Sequence, residues 1–173
     1  MQAGTIDKAM YYDAQPNGHY CGLFYYPSER TTPVYEAFRA FNVLHALGTA
    51  VESAAPDRGL AVVAAKGGSD KAILLANVAN DSVTLRPAVA GAEGTVFRLY
   101  RVDPQHRGLD EDGAWKPGEE LTVPKDGFVL LSTRDAKVVQ AQGNVLSHAL
   151  NGIDTSDSTP EQTPPATGAK DGN

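Results

Sequence analysis

Cysteine, long apolar runs and clustered positive charge are what this sequence has least of. Only one of its 173 residues, Cys21, is a cysteine, so no internal disulfide and no cysteine-rich zinc site can form. No apolar run approaches the roughly 20 residues that cross a bilayer as a helix, and no membrane is expected as a partner. The 15 Lys and Arg are outnumbered by 21 Asp and Glu and lie scattered, whereas a phosphate footprint needs cations gathered on one face. Nucleic acid is therefore not an expected partner either. The first eight residues, Met1 to Lys8, do not show the charged-then-apolar pattern of a secretory signal.

Aromatic residues are scarce in one part of the chain and dense in another. Nine fall within residues 1–41, and only Phe97, Tyr100, Trp115 and Phe128 follow. Residues 154–173 contain no Val, Ile, Leu, Met, Phe, Trp or Tyr. Such a segment cannot bury enough surface to offset its ordering entropy, and it is expected to be a disordered tail. Its four acids and one lysine carry half of the whole chain's net charge of −6. The remainder is close to charge-balanced, so no electrostatic steering is expected.

What is present has a clear order. Residues 33–47 have the spacing of a helix: Thr32 can cap it, Pro33 suits its first position, and Gly48 ends it. Val34, Ala37, Phe38, Phe41, Leu44 and Leu47 form its apolar stripe, widened by Tyr35, Ala40 and Val43. Two strand-like runs, 8–13 and 22–26, precede it and are separated by the turn-forming Gln15-Pro16-Asn17-Gly18. After residue 49 the chain reads as short strands at 50–53, 60–66, 71–78, 82–87, 95–102, 120–123, 127–133 and 137–140. Turn residues separate them, and the absence of interleaved helices predicts an antiparallel β-sandwich. Runs 60–66 and 71–78, joined through Gly67-Gly68-Ser69-Asp70, predict a hairpin. Residues 103–119 are expected to be a loop with Asp110–Gly113 near its tip, and 145–150 a short helix.

These residues together resemble the C-terminal end of a known enzyme group. Ala9-Met10-Tyr11-Tyr12-Asp13, then Gly22-Leu23-Phe24, then the Pro33 to Gly48 helix, then a β-sandwich, are similar to the end of retaining clan-A (β/α)₈ glycoside hydrolases of the β-xylosidase and α-iduronidase type. The resemblance covers about residues 7–133. It implies a fold that is mainly β: an antiparallel β-sandwich preceded by a strand–strand–helix remnant of the barrel. Residues 1–48 would be that remnant, 49–153 the sandwich and 154–173 the tail. Retaining hydrolysis needs two carboxylates about 5–5.5 Å apart. In the resembled enzymes these stand on the fourth and seventh barrel strands, which have no counterpart in this sequence.

The implied role is thus non-catalytic support of a (β/α)₈ barrel in a parent chain, with carbohydrate as a further partner. Tyr12 and Asp13 would sit at the rim of the sugar pocket, since barrel enzymes place site residues where a strand ends. The plainer reading has Asp13 opening the turn through Asn17-Gly18. A stand-alone carbohydrate-binding or protein-interaction sandwich is the alternative role.

No other cluster supplies chemistry. His19 and Cys21 would share a strand face but have no orienting third group, and Cys21 reads as a small core residue. His45 reads as a helix-end surface residue, and His106 and His148 as isolated. Asp110-Glu111-Asp112 lacks the spacing of a calcium loop. No metal and no cofactor are expected. Trp115 is expected to pack rather than to stack on sugar.

Overall fold

The computed structural model describes residues 22–25, 28, 30–55 and 59–137. Among them the expected helix forms as α1, Pro33–His45. Thr32 caps it: its hydroxyl accepts from the Tyr35 amide at 3.4 Å and donates to the Gly22 carbonyl at 2.9 Å. Gly48, at a φ of +83°, turns the chain out of the helix through left-handed backbone that suits glycine. Ahead of α1, the run at 22–26 is reduced to a single antiparallel bridge, Phe24 with Thr31. The run at 8–13 lies outside the described residues, as do 138–140, the helix expected at 145–150 and the tail.

Among the described residues eight strands follow: β1 (Thr49–Val51), β2 (Leu60–Gly67), β3 (Asp70–Asn77), β4 (Val83–Leu85), β5 (Phe97–Val102), β6 (Asp110–Trp115), β7 (Leu121–Val123) and β8 (Phe128–Ser132). They form an antiparallel six-stranded sheet in the order β1-β2-β3-β8-β5-β6 and a two-stranded sheet of β4 and β7. The chain is mainly β, as expected. The β2–β3 hairpin closes in register from Leu60↔Asn77 to Gly67↔Asp70, with Gly68 at a φ of +61° in its turn.

The last strand of the described residues is central in space. β8 pairs with β3 on one side and β5 on the other, and all five of its residues are buried. Side chains alternate across a strand, so each face of the sheet receives a share of β8. Phe128 and Leu130 join the core beneath α1, with Ala40, Val43, Leu44, Leu47 and Tyr100. Val129 and Leu131 join the opposite core, with Phe97, Trp115, Leu121 and Val123. A continuous apolar run bounded by turns is the sequence form of such a strand.

α1 lies close to the sheet because small residues receive it. Ala65 and Ala72 are partners in register and both belong to the core beneath the helix. At Gly67 there is no room even for a methyl group, which would strike the Leu47 carbonyl oxygen. On the other face Trp115 is 2% exposed, as the packed reading expects. It lies 5.8 Å from the Phe97 ring between centroids and donates its indole N–H to the Glu119 carbonyl at 3.2 Å.

One expectation is overturned. Residues 110–115, read as part of a loop, form the edge strand β6, paired with β5 from Phe97↔Trp115 to Arg101↔Asp110 across a bulge at Leu99/Tyr100. Five of its six residues are exposed, so apolar alternation could not announce it. Its ladder to β5 and the buried Trp115 seat it, and its acids face cations across the strands: Arg98 meets Glu111 at 2.7 Å and Arg101 meets Asp112 at 3.3 Å. Charged side chains on an edge also discourage pairing with another sheet. Residues 136–137 are likewise not strand, against the run expected at 137–140.

Asn77 fastens the two sheets. It is 3% exposed; its amide donates to the Val123 carbonyl at 3.2 Å and the Asp81 carbonyl at 2.9 Å, and its side-chain oxygen accepts from the Ala79 amide at 2.8 Å. β3, the turn into β4, and β7 therefore meet at one side chain.

Two substitutions test this packing. Leu130→Ala is expected to lower unfolding free energy by about 2–5 kcal/mol, and Gly67→Ala to lower it through the clash with Leu47. Urea titration of each variant checks both, and a Gly67→Ala midpoint equal to wild type would show that α1 is not held against the sheet as described.

Candidate functional site

Tyr12 and Asp13, the residues expected at a sugar-pocket rim, lie outside the described residues, as do His19, Cys21 and His148. His45 is exposed at the end of α1, where the sequence placed it. What the structure builds around the functional question is a helix with two apolar faces, a pair of buried carboxylates and a groove.

The broad stripe of α1 divides. At about 100° per residue, Ala40, Val43, Leu44 and Leu47 share one face with Glu36, and all five are buried. Val34, Phe38 and Phe41 fall on the far side. Val34 and Phe41 are half-buried and Phe38 is 40% exposed. The face expected to be single is therefore two, and neither Phe38 nor Phe41 enters the sheet's core. Tyr35 stacks obliquely on Phe24, with ring centroids 5.4 Å apart.

Glu36 is a residue that sequence reasoning missed. It is 1% exposed and both of its carboxylate oxygens are hydrogen-bonded. One carboxylate oxygen accepts from the Thr31 hydroxyl at 2.7 Å; the other accepts from Arg39 at 2.6 Å and from the Leu109 amide at 3.2 Å. The Leu109 contact reaches 73 residues along the chain and ties α1 to the connection between β5 and β6. The available signal was its place on the buried stripe, four residues before Ala40 and seven before Val43. A carboxylate there must be paired.

His106 is not isolated, contrary to expectation. Its ring Nδ1 lies 3.1 Å from Asp103 Oδ1, and that oxygen also accepts from the Gln105 amide at 2.8 Å and the His106 amide at 2.6 Å. Burial of Asp103, the largest influence, pushes its pKa up; the hydrogen bonds from His106 and Gln105 outweigh it, so the carboxyl sits below its ordinary value. The arrangement closes the turn that follows β5.

The acidic run on β6 is neutralised rather than poised for a cation. Asp110 faces Lys137 at 3.9 Å, and Glu111 and Asp112 are held by Arg98 and Arg101.

The groove arises because the second sheet is narrow. β4 and β7 pack over the large sheet around β8, and among the described residues 52–55 and 86–90 flank the β1–β3 half on that face. Between them runs a groove of about 670 Å³. Val62, Ala64, Ile73 and Leu75 form its floor, with Leu85 and Val89 along one wall. Lys66 and Lys71, partners in register on this same face, stand at the end nearest the hairpin turn.

Two charge substitutions follow from these contacts. Glu36→Ala is expected to cost about 2–3 kcal/mol, because Arg39 and the Leu109 amide lose a charged acceptor. For Asp103, a folded pKa below the ordinary value of about 3.9 means that its stabilising contribution is complete above that pH and is lost as pH falls through the folded value. The melting-temperature gap between wild type and Asp103→Asn should thus be constant above about pH 5 and narrow below about pH 4. A gap independent of pH would show that the charge of Asp103 does not stabilise its turn.

No family model and no curated protein sequence matches this chain. Among solved structures it is similar to a conserved exported protein from Bacteroides fragilis, at 14% identity and a TM-score of 0.38, covering 43% of this chain and 14% of that one. It is similar to a GH30 endoxylanase from Clostridium papyrosolvens C71, at 14% identity and a TM-score of 0.38, covering 48% of this chain and 22% of the endoxylanase. It is also similar to CelM2, a bifunctional glucanase-xylanase from a metagenome library, at 16% identity and a TM-score of 0.38, covering 48% of this chain and 17% of CelM2. The matched region spans less than a quarter of the length of each of these proteins.

Proposed function

We propose that this chain is the non-catalytic, C-terminal part of a glycoside hydrolase, and that it supports a (β/α)₈ barrel and forms one wall of its sugar cleft. The observation that carries the proposal is the doubled apolar face of α1. One face is consumed by the sheet; the other, with Val34, Phe38 and Phe41, has more apolar width than a helix lying on a single sheet needs. A helix between two layers has this character, and in the resembled layout the last barrel helix is followed by a β-sandwich that packs beside the barrel. On this reading residues 1–48 belong with the barrel, and Tyr12 and Asp13 reach the rim of its pocket.

The aromatic residues favour support over a stand-alone carbohydrate-binding role. Sugar-binding sheets present rings for stacking. Here the four aromatics after residue 48 are all interior: Phe97 and Tyr100 are 0% exposed, Trp115 2% and Phe128 7%. None offers a ring to a glycan.

Two measurements check the proposal. The genomic reading frame upstream of Met1 is expected to continue for roughly 200–400 codons, the size of a barrel, with glutamates at strand ends; a stop codon and separate promoter there would overturn the assignment. The chain by itself is expected to hydrolyse no aryl-glycoside, and turnover abolished by Asp13→Ala would show instead that it carries its own active site.

A further inference from the structure

We propose that the groove over β1–β3 binds a small amphiphilic anion, a monocarboxylate with an unbranched apolar chain. The groove lies on the face of the large sheet away from α1, so the proposal does not depend on what covers the helix.

Its size comes first. At about 670 Å³ it falls within the roughly 300–1,000 Å³ typical of small-molecule sites. Its floor and walls are aliphatic, and among the described residues no aromatic ring lines it. Ser53 is the single hydroxyl among those residues, and its hydroxyl donates to the Val62 carbonyl at 3.3 Å. A sugar would find no stacking surface there and a single hydroxyl. An alkyl chain would find Val62, Ile73 and Leu75.

Charge then fixes one end. Lys66 and Lys71 stand directly opposite one another in register, on the groove face. Like charges in that position destabilise a sheet, and neither lysine makes an ion pair among the described residues. Lys71 Nζ donates to the Ser69 carbonyl at 3.4 Å, which leaves it two further N–H donors. The third cation of the lining, Arg86, is already matched with Glu120 at 3.0 Å. Glu52, the single carboxylate of the described lining, is not within ion-pairing distance of either lysine. Two ammonium groups at the mouth of an aliphatic groove are complementary to a carboxylate headgroup whose tail runs along the floor.

Calorimetric titration of the full chain with decanoate, decanol and a xylo-oligosaccharide tests this. Decanoate is expected to bind, with decanol at least roughly tenfold weaker because it lacks the charge-assisted contacts. Lys66→Glu combined with Lys71→Glu should weaken decanoate at least roughly tenfold and leave decanol unchanged. Ala64→Phe, which fills the floor, should abolish both. Circular dichroism of each variant confirms its fold, and the changes at exposed Lys66 and half-buried Lys71 keep the test open should Ala64→Phe not fold. Absence of decanoate binding up to about 1 mM, equal affinity for decanol, indifference to the charge reversal, or preference for the oligosaccharide would each overturn the proposal.

Discussion

Everything in this fold depends on β8 being buried on both faces. Five consecutive residues, Phe128–Ser132, sit between β3 and β5 with none exposed. Because adjacent residues point to opposite sides, this one strand supplies side chains to both cores at once. The large sheet cannot then be a simple two-layer arrangement. It needs cover above and below, and the chain provides α1 on one side and the β4–β7 pair on the other. Since β8 is also the last strand among the described residues, neither core is complete until nearly all of the described chain has been laid down. Most of its pairings are consequently long-range, which is the kinetic cost of such a topology.

Buried polar groups decide how the covering elements are seated. Apolar contact alone would let α1 slide or rotate on Ala65 and Ala72, since methyl groups offer little shape to lock against. Glu36 removes that freedom: its hydrogen bonds to Thr31, Arg39 and the Leu109 amide fix both the rotation of the helix and its distance from the β5–β6 connection. Asn77 does the same for the small sheet, and Asp103 for the turn after β5. Tyr100, fully buried, accepts from the Ala136 amide at 3.1 Å and so holds the chain beyond β8. Each is a polar atom whose burial without a partner would be costly, and so each specifies one arrangement over its neighbours.

The sequence was most legible where burial was largest. Long apolar runs such as residues 60–66, 71–78 and 127–133 have a period and turn punctuation, and they became β2, β3 and β8 with ends moved by one residue or so. Thr32, Pro33 and Gly48 bounded α1 because capping chemistry is local. β6 was illegible because its stability lies in partners on another strand: Arg98 and Arg101 say nothing about residues 110–112 until the two are side by side. Glu36 was illegible for the same reason, its acceptor role being set by an amide far along the chain. The division of the α1 stripe was hidden by composition, since Phe38 and Phe41 are more hydrophobic than Ala40 yet lie outside the sheet's core. Periodicity locates apolar residues but cannot rank which of two neighbours will receive them. Tyr12 and Asp13 fall outside the described residues, so the sugar-rim expectation rests on resemblance alone.

The inequality of the two sheets is what leaves surface for function. Six strands face two, so the second layer reaches across only part of the first. The uncovered part over β1–β3 keeps aliphatic floor residues beneath loops 52–55 and 86–90 instead of beneath strands, and loops cannot close a flat face as a pleated sheet does. On the opposite side α1 lies against the sheet with Ala40, Val43 and Leu44 in the core, while Phe38 is 40% exposed. A domain optimised only for its own stability would bury Phe38 and Phe41 and leave Ala40 outside. α1 departs from that pattern: Ala40 is fully buried where the sheet comes close, and Phe38 is 40% exposed.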